Sequence, residues 1–143
     1  MADALILRRA VASDAQGLVR VVKAAYAAFA DLDLPPVAEG LDADIRDHPV
    51  WVAELDGQIV GGIVLILSDP PKIANLAVDP NVKGQGLGRK LVNLATDAAR
   101  AAGHRQVQLT THADMSATRA FYARLGWTDA GQDGNKVYMT LQL

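Results

Sequence analysis

The chain has 143 residues, half of them hydrophobic and none of them cysteine. This length and apolar content suit one compact domain with a sizeable core, so we expect residues 1–143 to form a single domain. A net charge of −2 with scattered basic residues disfavours a nucleic-acid surface or an anionic membrane as partner, and a chain without cysteine cannot use a disulfide, a thiolate metal site or a cysteine acyl-enzyme.

No segment of the sequence indicates export or a membrane anchor. The residues from Met1 to Ala4 do not form a basic segment leading into an apolar one. The longest nearly unbroken apolar stretch, residues 59–67, is far shorter than the roughly 20 residues that span a bilayer. We therefore expect a cytoplasmic protein without a membrane partner.

The first half of the chain predicts one strand, two helices and then three antiparallel strands. Ser13 and Asp14 are expected to cap the first helix, whose apolar residues repeat at helical spacing as far as Phe29. Asp56-Gly57 between two apolar runs is a strong hairpin signal. The predicted strands are 4–10, 50–55, 58–67 and 73–78, and a second, weaker helix covers 37–47.

The second half predicts a helix, a strand, a helix and a closing hairpin. Gly103 and Gly126 mark the ends of the two helices, and Asp114 or Ser116 is expected to cap the second. The predicted ranges are helix 87–102, strand 106–111, a helix ending at 125 and strands 127–130 and 136–143. The order β-α-α-β-β-β-α-β-α-β-β indicates an α+β fold with a mixed, mostly antiparallel sheet and helices on both faces.

Three glycines alternate between a predicted strand and a predicted helix, in the segment from Lys83 to Gly88. Glycines leave the main chain open to close approach, and the first-turn amides of a helix have no partners within that helix and lie at its positive end. Such a turn suits a pyrophosphate, and Lys83 and Arg89 would add positive charge.

Two other phosphate-binding patterns fit this segment less well. A Walker A loop needs four residues between its glycines and then Lys, whereas three residues separate Gly84 from Gly88 and Arg89 follows. A dinucleotide fingerprint would need a glycine where Arg89 or Leu91 stands. A third interpretation, that the glycines only make a tight connection, requires fewer glycines than are present.

Two motifs resemble those of the GNAT superfamily of N-acetyltransferases. The first runs from Leu76-Ala77-Val78-Asp79-Pro80 into Lys83-Gly84-Gln85-Gly86-Leu87-Gly88-Arg89, and the second is Ala120-Phe121-Tyr122-Ala123-Arg124-Leu125-Gly126-Trp127. The resemblance covers essentially the whole chain. Two positions depart from the family pattern: Lys83 replaces the usual Gln or Arg, which keeps a cation but loses its planar fork, and Met115 replaces an Asn that contacts the cofactor in many members.

The resemblance implies acetyl-CoA as cosubstrate and no metal. The main chain of Leu76, Ala77 and Val78 would pair with the pantetheine arm like an added strand, in a gap between two central strands. The turn after it would hold the pyrophosphate, and the implied residues are Lys83, Gly84, Gln85, Gly86, Leu87, Gly88 and Arg89.

The resemblance also implies that Tyr122 is the general acid that protonates the leaving thiolate, since a phenol with a pKa near 10 is a competent donor. The alternative is a tyrosine that only packs beside Phe121. Deprotonating a lysine-like acceptor amine of pKa about 10.4 at pH 7 costs roughly 4 to 5 kcal/mol. Glu54, His112 or a water relay could take that proton.

The acceptor is expected to be a primary amine of a small molecule or a peptide. The loop from Asp31 to Glu39 corresponds to the family's variable acceptor-binding region. Its Asp31, Asp33 and Glu39 could attract a cationic amine, and the alternative is an ordinary solvated loop. The substrate-contact candidates are Tyr26, Phe29 and Asp33. An acetyltransferase for a protein amine and a non-catalytic acyl-CoA sensor remain alternatives, while the pI near 5.8 disfavours a charged tRNA. The family resemblance also makes a homodimer a reasonable expectation.

Overall fold

The computed structural model describes residues 4–32, 38–82 and 85–143. Within them the chain forms seven strands and four α-helices in the predicted order, which confirms the α+β class. The strands are β1 (Leu5–Arg9), β2 (Val50–Leu55), β3 (Gln58–Ile66), β4 (Lys72–Val78), β5 (Gln106–His112), β6 (Thr128–Asp133) and β7 (Lys136–Gln142). The helices are α1 (Ala15–Tyr26), α2 (Leu41–Asp47), α3 (Leu87–Ala101) and α4 (Ser116–Arg124).

All seven strands lie in one sheet, in the order β1-β2-β3-β4-β5-β7-β6. Every neighbouring pair is antiparallel except β4 and β5, which are parallel. The predicted hairpin joins β2 to β3, and its two central residues, Asp56 and Gly57, have φ of 51° and 83°. Positive φ at both positions is what a tight hairpin turn with the right twist requires.

Helices cover the sheet on two faces, each with its own apolar core. Helix α1 packs Leu18, Val21 and Val22 against residues of β2, β3 and β4. Helix α3 packs Leu91 and Ala95 on the opposite side, with residues of β3, β4, β5 and β7. We call these sides the α1 face and the α3 face. Among the described residues, no helix has the length and apolar character needed to cross a membrane.

A bulge in β4 determines which side chains reach each face. Asn75 lies opposite Val64, but Ile73 lies opposite Leu65, so Ala74 is an extra residue in β4. Ile73 then packs in the core on the α3 face, while Ala77 packs in the core on the α1 face. The bulge therefore changes the alternation of side chains in the strand that borders the site described below.

Asp14 is the N-cap residue of α1, as predicted, but without a side-chain capping bond, and the cap predicted for α4 is wrong. Asp14 precedes α1 but makes no capping bond to it, because its carboxylate accepts hydrogen bonds from the Arg8 guanidinium at 2.7 and 2.9 Å and from the amide of Val11 at 2.8 Å. Met115 occupies the cap position of α4, without a side-chain capping bond. For Asp14, a tertiary partner outcompetes the local amides of the helix.

Candidate active site

The sheet opens between its two parallel strands. The ladder between β4 and β5 consists of one pair, Lys72 and Gln108, next to a hydrogen bond from the Gln108 amide to the Pro71 carbonyl at 2.9 Å. Beyond Lys72, the edge of β4 that faces β5 has no ladder partner in β5. A gap between these strands was expected, and a strand edge that borders such a gap can bond an extended ligand through its main chain.

A cavity of about 680 Å³ occupies this gap and is lined by residues from both faces of the sheet. On the α3 face it is lined by Leu76, Val78, Gly88, Leu109, Thr111, Met115, Phe121 and Tyr122. On the α1 face it is lined by Tyr26, Phe29, Lys72, Asn75, Ala77, Thr110, His112 and Lys136. A molecule bound on one face can therefore meet a molecule bound on the other without leaving the protein.

Tyr122 lies on the wall of this cavity and is only 4% exposed. Its ring contacts Trp127 and Phe121 edge to face, with centroids 5.4 and 5.1 Å apart. Burial raises the pKa of the Tyr122 phenol well above its ordinary value near 10, and the negative charge of an ionised Tyr26 would raise it further. Tyr122 is therefore a proton donor that stays protonated across the physiological range.

Helix α3 begins at the edge of the cavity. Gly86 precedes its first turn with φ of 63°, a left-handed conformation that glycine adopts at little cost. A Cβ at this position would meet no atom of the described residues within 4 Å, so these residues leave the space beside Gly86 open. Gln85 and Arg89 are exposed beside it, while Lys83 and Gly84 lie outside the described residues. The open turn meets the geometric requirement for an anion at a helix N-terminus.

Gly88 is required for a different reason from Gly86. A Cβ at position 88 would lie 3.0 Å from Cζ of Phe121 and 3.3 Å from another atom of that ring. Its absence therefore lets Phe121 of α4 pack against the first turn of α3. Gly86 thus leaves the turn open, whereas Gly88 permits close packing of Phe121 against the helix.

His112 ends β5 and lines the cavity. Its Nδ1 accepts a hydrogen bond from the amide of Asp114 at 3.0 Å, and the Asp114 carboxylate lies 4.0 Å away. A neutral imidazole that accepts at Nδ1 carries its proton on Nε2. This arrangement favours His112 as a hydrogen-bond donor, because its basic nitrogen is already engaged.

Glu54 lies on β2 and is not among the residues that line the cavity. Its carboxylate pairs with the Arg8 guanidinium at 2.9 Å, and Arg8 also pairs with Asp14. The structure therefore separates the two candidate bases: His112 is at the cavity, and Glu54 belongs to an ion-pair network between β1 and β2.

The substrate-contact candidates are brought to the cavity only in part. Tyr26 and Phe29 line it at the end of α1 and in the short turn that follows, with their rings 6.2 Å apart. Burial raises the pKa of the Tyr26 phenol above its ordinary value. Asp31 and Glu39 are exposed and do not line the cavity, and Asp33 lies outside the described residues.

Sequence reasoning did not single out seven polar residues of the described cavity lining: Lys72, Asn75, Thr110, Thr111, Thr118, Asn135 and Lys136. Lys72 begins β4 and Lys136 begins β7, and both are exposed. Lys136 reaches the site because β7 lies beside β5, and the side on which Lys72 lies depends on the bulge at Ala74. No local pattern reveals either feature. In the described part of the chain, no group of three or more His, Cys, Asp or Glu side chains is placed to hold a metal ion.

Comparison with known families and proteins extends this description. Residues 19–127 match the model of the acetyltransferase (GNAT) family. The chain is 28% identical over 135 residues to the uncharacterized N-acetyltransferase YjgM of Escherichia coli (strain K12), covering 85% of this chain and 81% of that protein. It is 33% identical over 94 residues to N-acetyltransferase 8 of Rattus norvegicus, covering 61% of this chain and 42% of that protein.

The fold has a solved counterpart of nearly equal length. The paia N-acetyltransferase from Thermoplasma acidophilum, determined in complex with coenzyme A, superposes with a TM-score of 0.86. The match covers 98% of this chain and 99% of that one, at 19% sequence identity. At this identity the match establishes a shared architecture.

Proposed function

Since the chain belongs to the GNAT acetyltransferase family, we propose that it transfers an acetyl group from acetyl-CoA directly to a primary amine. The observation that carries this proposal is the cavity between β4 and β5, which is lined by residues from both faces of the sheet and has Tyr122 on its wall. A donor on one face and an acceptor on the other would meet there without a covalent enzyme intermediate. Direct transfer also suits a chain that has no cysteine.

The α3 face is the side proposed for the cosubstrate. When bound there, acetyl-CoA supplies the thioester that the amine attacks. The β4 edge from Leu76 to Val78 faces the gap without a ladder partner in β5, so its main chain is available for an extended pantetheine arm. Ala77 would contribute through its main chain, because its side chain is buried in the α1 core.

The first turn of α3 is proposed to bind the pyrophosphate. The amides of Leu87, Gly88 and Arg89 precede the first bond of the helix, which runs from the Lys90 amide to the Gly86 carbonyl at 3.1 Å. Their dipoles favour an anion in front of the turn. Gln85 and Arg89 are the described side chains nearest in sequence, and Lys83 and Gly84 complete the proposed set.

Tyr122 is proposed to protonate the thiolate that leaves when the amine has added to the carbonyl. Its raised pKa keeps the proton on the phenol oxygen until the leaving group needs it. Edge-to-face contacts with Phe121 and Trp127 fix the ring in the wall. The phenol is therefore positioned before substrates arrive, which lowers the cost of orienting it.

For the proton of the acceptor amine, we propose a water relay instead of a side-chain base. Glu54 is held by Arg8 away from the cavity. His112 accepts a hydrogen bond at Nδ1, and its Nε2 proton makes it a donor. His112 can orient a water or the acetyl carbonyl from this position. Tyr26 and Phe29 would form the apolar wall along which the amine approaches.

Thiol release from acetyl-CoA across a panel of amines tests the proposal. We expect turnover with at least one primary amine and a large loss in Tyr122→Phe, with coenzyme A affinity unchanged. Including a peptide with a free N-terminus tests for a protein acceptor. Inert protein that still binds coenzyme A would contradict catalysis and favour an acyl-CoA sensor.

Three further properties stay predictions from the sequence and the family resemblance: a single domain, a cytoplasmic location and a homodimer. Light scattering on the eluting protein would determine its molar mass and so decide whether it is a dimer.

A further inference from the structure

The two lysines of the cavity both face the acceptor side. Ile73 packs in the core on the α3 face, so its neighbour Lys72 points to the α1 face. Val137 also packs in the α3 core, and Lys136 before it lies opposite His112 in the ladder between β5 and β7. Both cations are therefore on the opposite side of the sheet from α3, whose N-terminus is proposed to hold the pyrophosphate.

The described lining of the cavity contains no carboxylate, and its charged side chains are these two lysines. Asp133 lies opposite Lys136 in the ladder between β6 and β7. Within residues 4–32, 38–82 and 85–143, however, no ion pair within 4.0 Å joins either lysine to an acid. Asp114, the acid beside His112, has a side chain that is 73% exposed. The acceptor side is thus positive at short range.

Neutral groups on this side also favour a negatively charged ligand. With Nδ1 accepting from the Asp114 amide, His112 carries a donor at Nε2. Thr110 and Asn135 line the same part of the cavity and can donate from a hydroxyl and an amide. Charge-assisted hydrogen bonds from such a set to an anion are stronger than bonds between neutral groups.

Resting on the proposed function, we infer that the acceptor is a small amine that also carries an anionic group, in the first place an aminocarboxylate. Lys72 lies opposite Gln108 and Lys136 lies opposite His112, four residues or about 13 Å further along β5. The anion therefore pairs with one of these two lysines, while the amine points through the gap toward Tyr122. A purely cationic acceptor such as a diamine would meet two like charges at this opening. A small molecule fits because the amine must enter a cavity of about 680 Å³ that the thioester arm also occupies.

Matched acceptors test this inference. Linear aminocarboxylates of increasing chain length are compared with their carboxamides, with an aminoalkylphosphonate, with a diamine and with a peptide. We expect kcat/KM for the best carboxylate to exceed that of its carboxamide by about tenfold or more, as loss of a charge-assisted bond implies. Turnover of the phosphonate as efficient as that of the carboxylate would indicate a preference for any anion. Much lower turnover of the phosphonate would indicate a preference for a carboxylate.

At least one of Lys72→Gln and Lys136→Gln should reduce this preference by raising KM for the carboxylate much more than KM for the carboxamide. The carboxamide reports on folding and chemistry within each variant. Lys23→Gln is the matched control, because Lys23 is an exposed lysine of α1 that does not line the cavity. It should keep the full preference.

Three results would overturn the inference. Equal or better turnover of carboxamides or diamines would overturn it while leaving the acetyltransferase proposal intact. Preference for the peptide over every small aminocarboxylate would remove the small-molecule acceptor. Absence of turnover with all amines, despite bound coenzyme A, would overturn the proposed function and this inference with it.

Discussion

Gly88 and Phe121 are in direct contact: a methyl group on Gly88 would lie 3.0 Å from Cζ of the Phe121 ring. These residues belong to the two motifs that the sequence analysis singled out, 33 positions apart in the chain. Their contact fixes the start of α3 relative to α4, and therefore the proposed pyrophosphate turn relative to Tyr122.

Gly88→Ala should lower the free energy of unfolding by about 1 kcal/mol, because crowding against Phe121 outweighs the higher helix propensity of alanine. In a Phe121→Leu background the ring is gone, so the same substitution should become neutral or stabilising. Urea unfolding of the native protein, Gly88→Ala, Phe121→Leu and the double variant gives the coupling free energy between positions 88 and 121. Equal effects of Gly88→Ala in both backgrounds would show that the ring contact carries no energy.

Tyr122→Phe should reduce kcat by about 10²- to 10⁴-fold, the usual contribution of a positioned acid. The ring contacts with Phe121 and Trp127 remain in the variant, so its stability and coenzyme A affinity should change little. Tyr138→Phe is the control, since Tyr138 is exposed and does not line the cavity. A variant at position 122 with wild-type turnover would rule out the acid role.

The pH dependence of acetyl transfer should rise with pH and then level off. Below the pKa of the acceptor, each pH unit increases the free amine about tenfold. Since the pKa of Tyr122 is raised, its phenol stays protonated and causes no loss of activity between pH 6 and about 10. An initial-rate profile that falls near pH 8 in the native protein, but not in Tyr122→Phe, would contradict this assignment.

Gly86→Asp should weaken coenzyme A binding by about tenfold or more relative to Gly86→Asn. Both side chains tolerate positive φ better than other residues do, and both project into the space that the described residues leave open beside Gly86. They differ mainly in charge, which acts directly on an anion at this position. Calorimetry gives the two dissociation constants. Equal values would remove the proposed pyrophosphate site from the N-terminus of α3.

Asp14→Asn should destabilise the fold by about 3 kcal/mol at pH 7, because Asp14 is nearly buried and bonded to Arg8. The Arg8 guanidinium holds the pKa of Asp14 below its ordinary value of 3.8. Its stabilisation is therefore complete above that value and declines as the pH falls below it. Urea unfolding gives the difference in free energy of unfolding between the native protein and Asp14→Asn. This difference should be the same at pH 7 and pH 5 and smaller at pH 3.

Asp97→Asn is the control for this series, since Asp97 makes an exposed ion pair with Arg100 on α3. Exposed pairs of this kind contribute little. The same pH dependence in both variants would show that the effect is a general charge effect and does not come from the buried pair.

Local signals in the sequence were sufficient to predict the helices and strands. They were insufficient to predict which side chains contact each other across the fold. The Asp56-Gly57 turn and the glycines at 103 and 126 act within a few residues, and each marks an observed boundary. Asp14 occupies the predicted cap position of α1, but its carboxylate bonds to Arg8 instead of the helix amides. Local spacing could not show this, because the position of the Arg8 strand relative to α1 depends on the whole sheet.

The two motifs predicted part of the candidate site, and His112, Tyr26 and Phe29, which were predicted outside the motifs, also line the cavity. Tyr122 and the strand from Leu76 to Val78 line the cavity, in agreement with where the motifs directed attention. Lys72 and Lys136 were missed because the parity of side chains in β4 changes at Ala74 and because β7 lies next to β5. Both features are properties of the assembled sheet and have no counterpart in local spacing.

The single ladder pair between β4 and β5 has a mechanical consequence. Strands β1–β4 and β5–β7 form two hydrogen-bonded halves, and the packing of α3 on both of them supplies much of their connection. A ligand that bonds to the free edge of β4 would restore main-chain bonding along this boundary. Binding of the cosubstrate would then slow amide hydrogen exchange in β4. The cosubstrate would therefore stabilise the connection between the two halves of the sheet as well as react in the site.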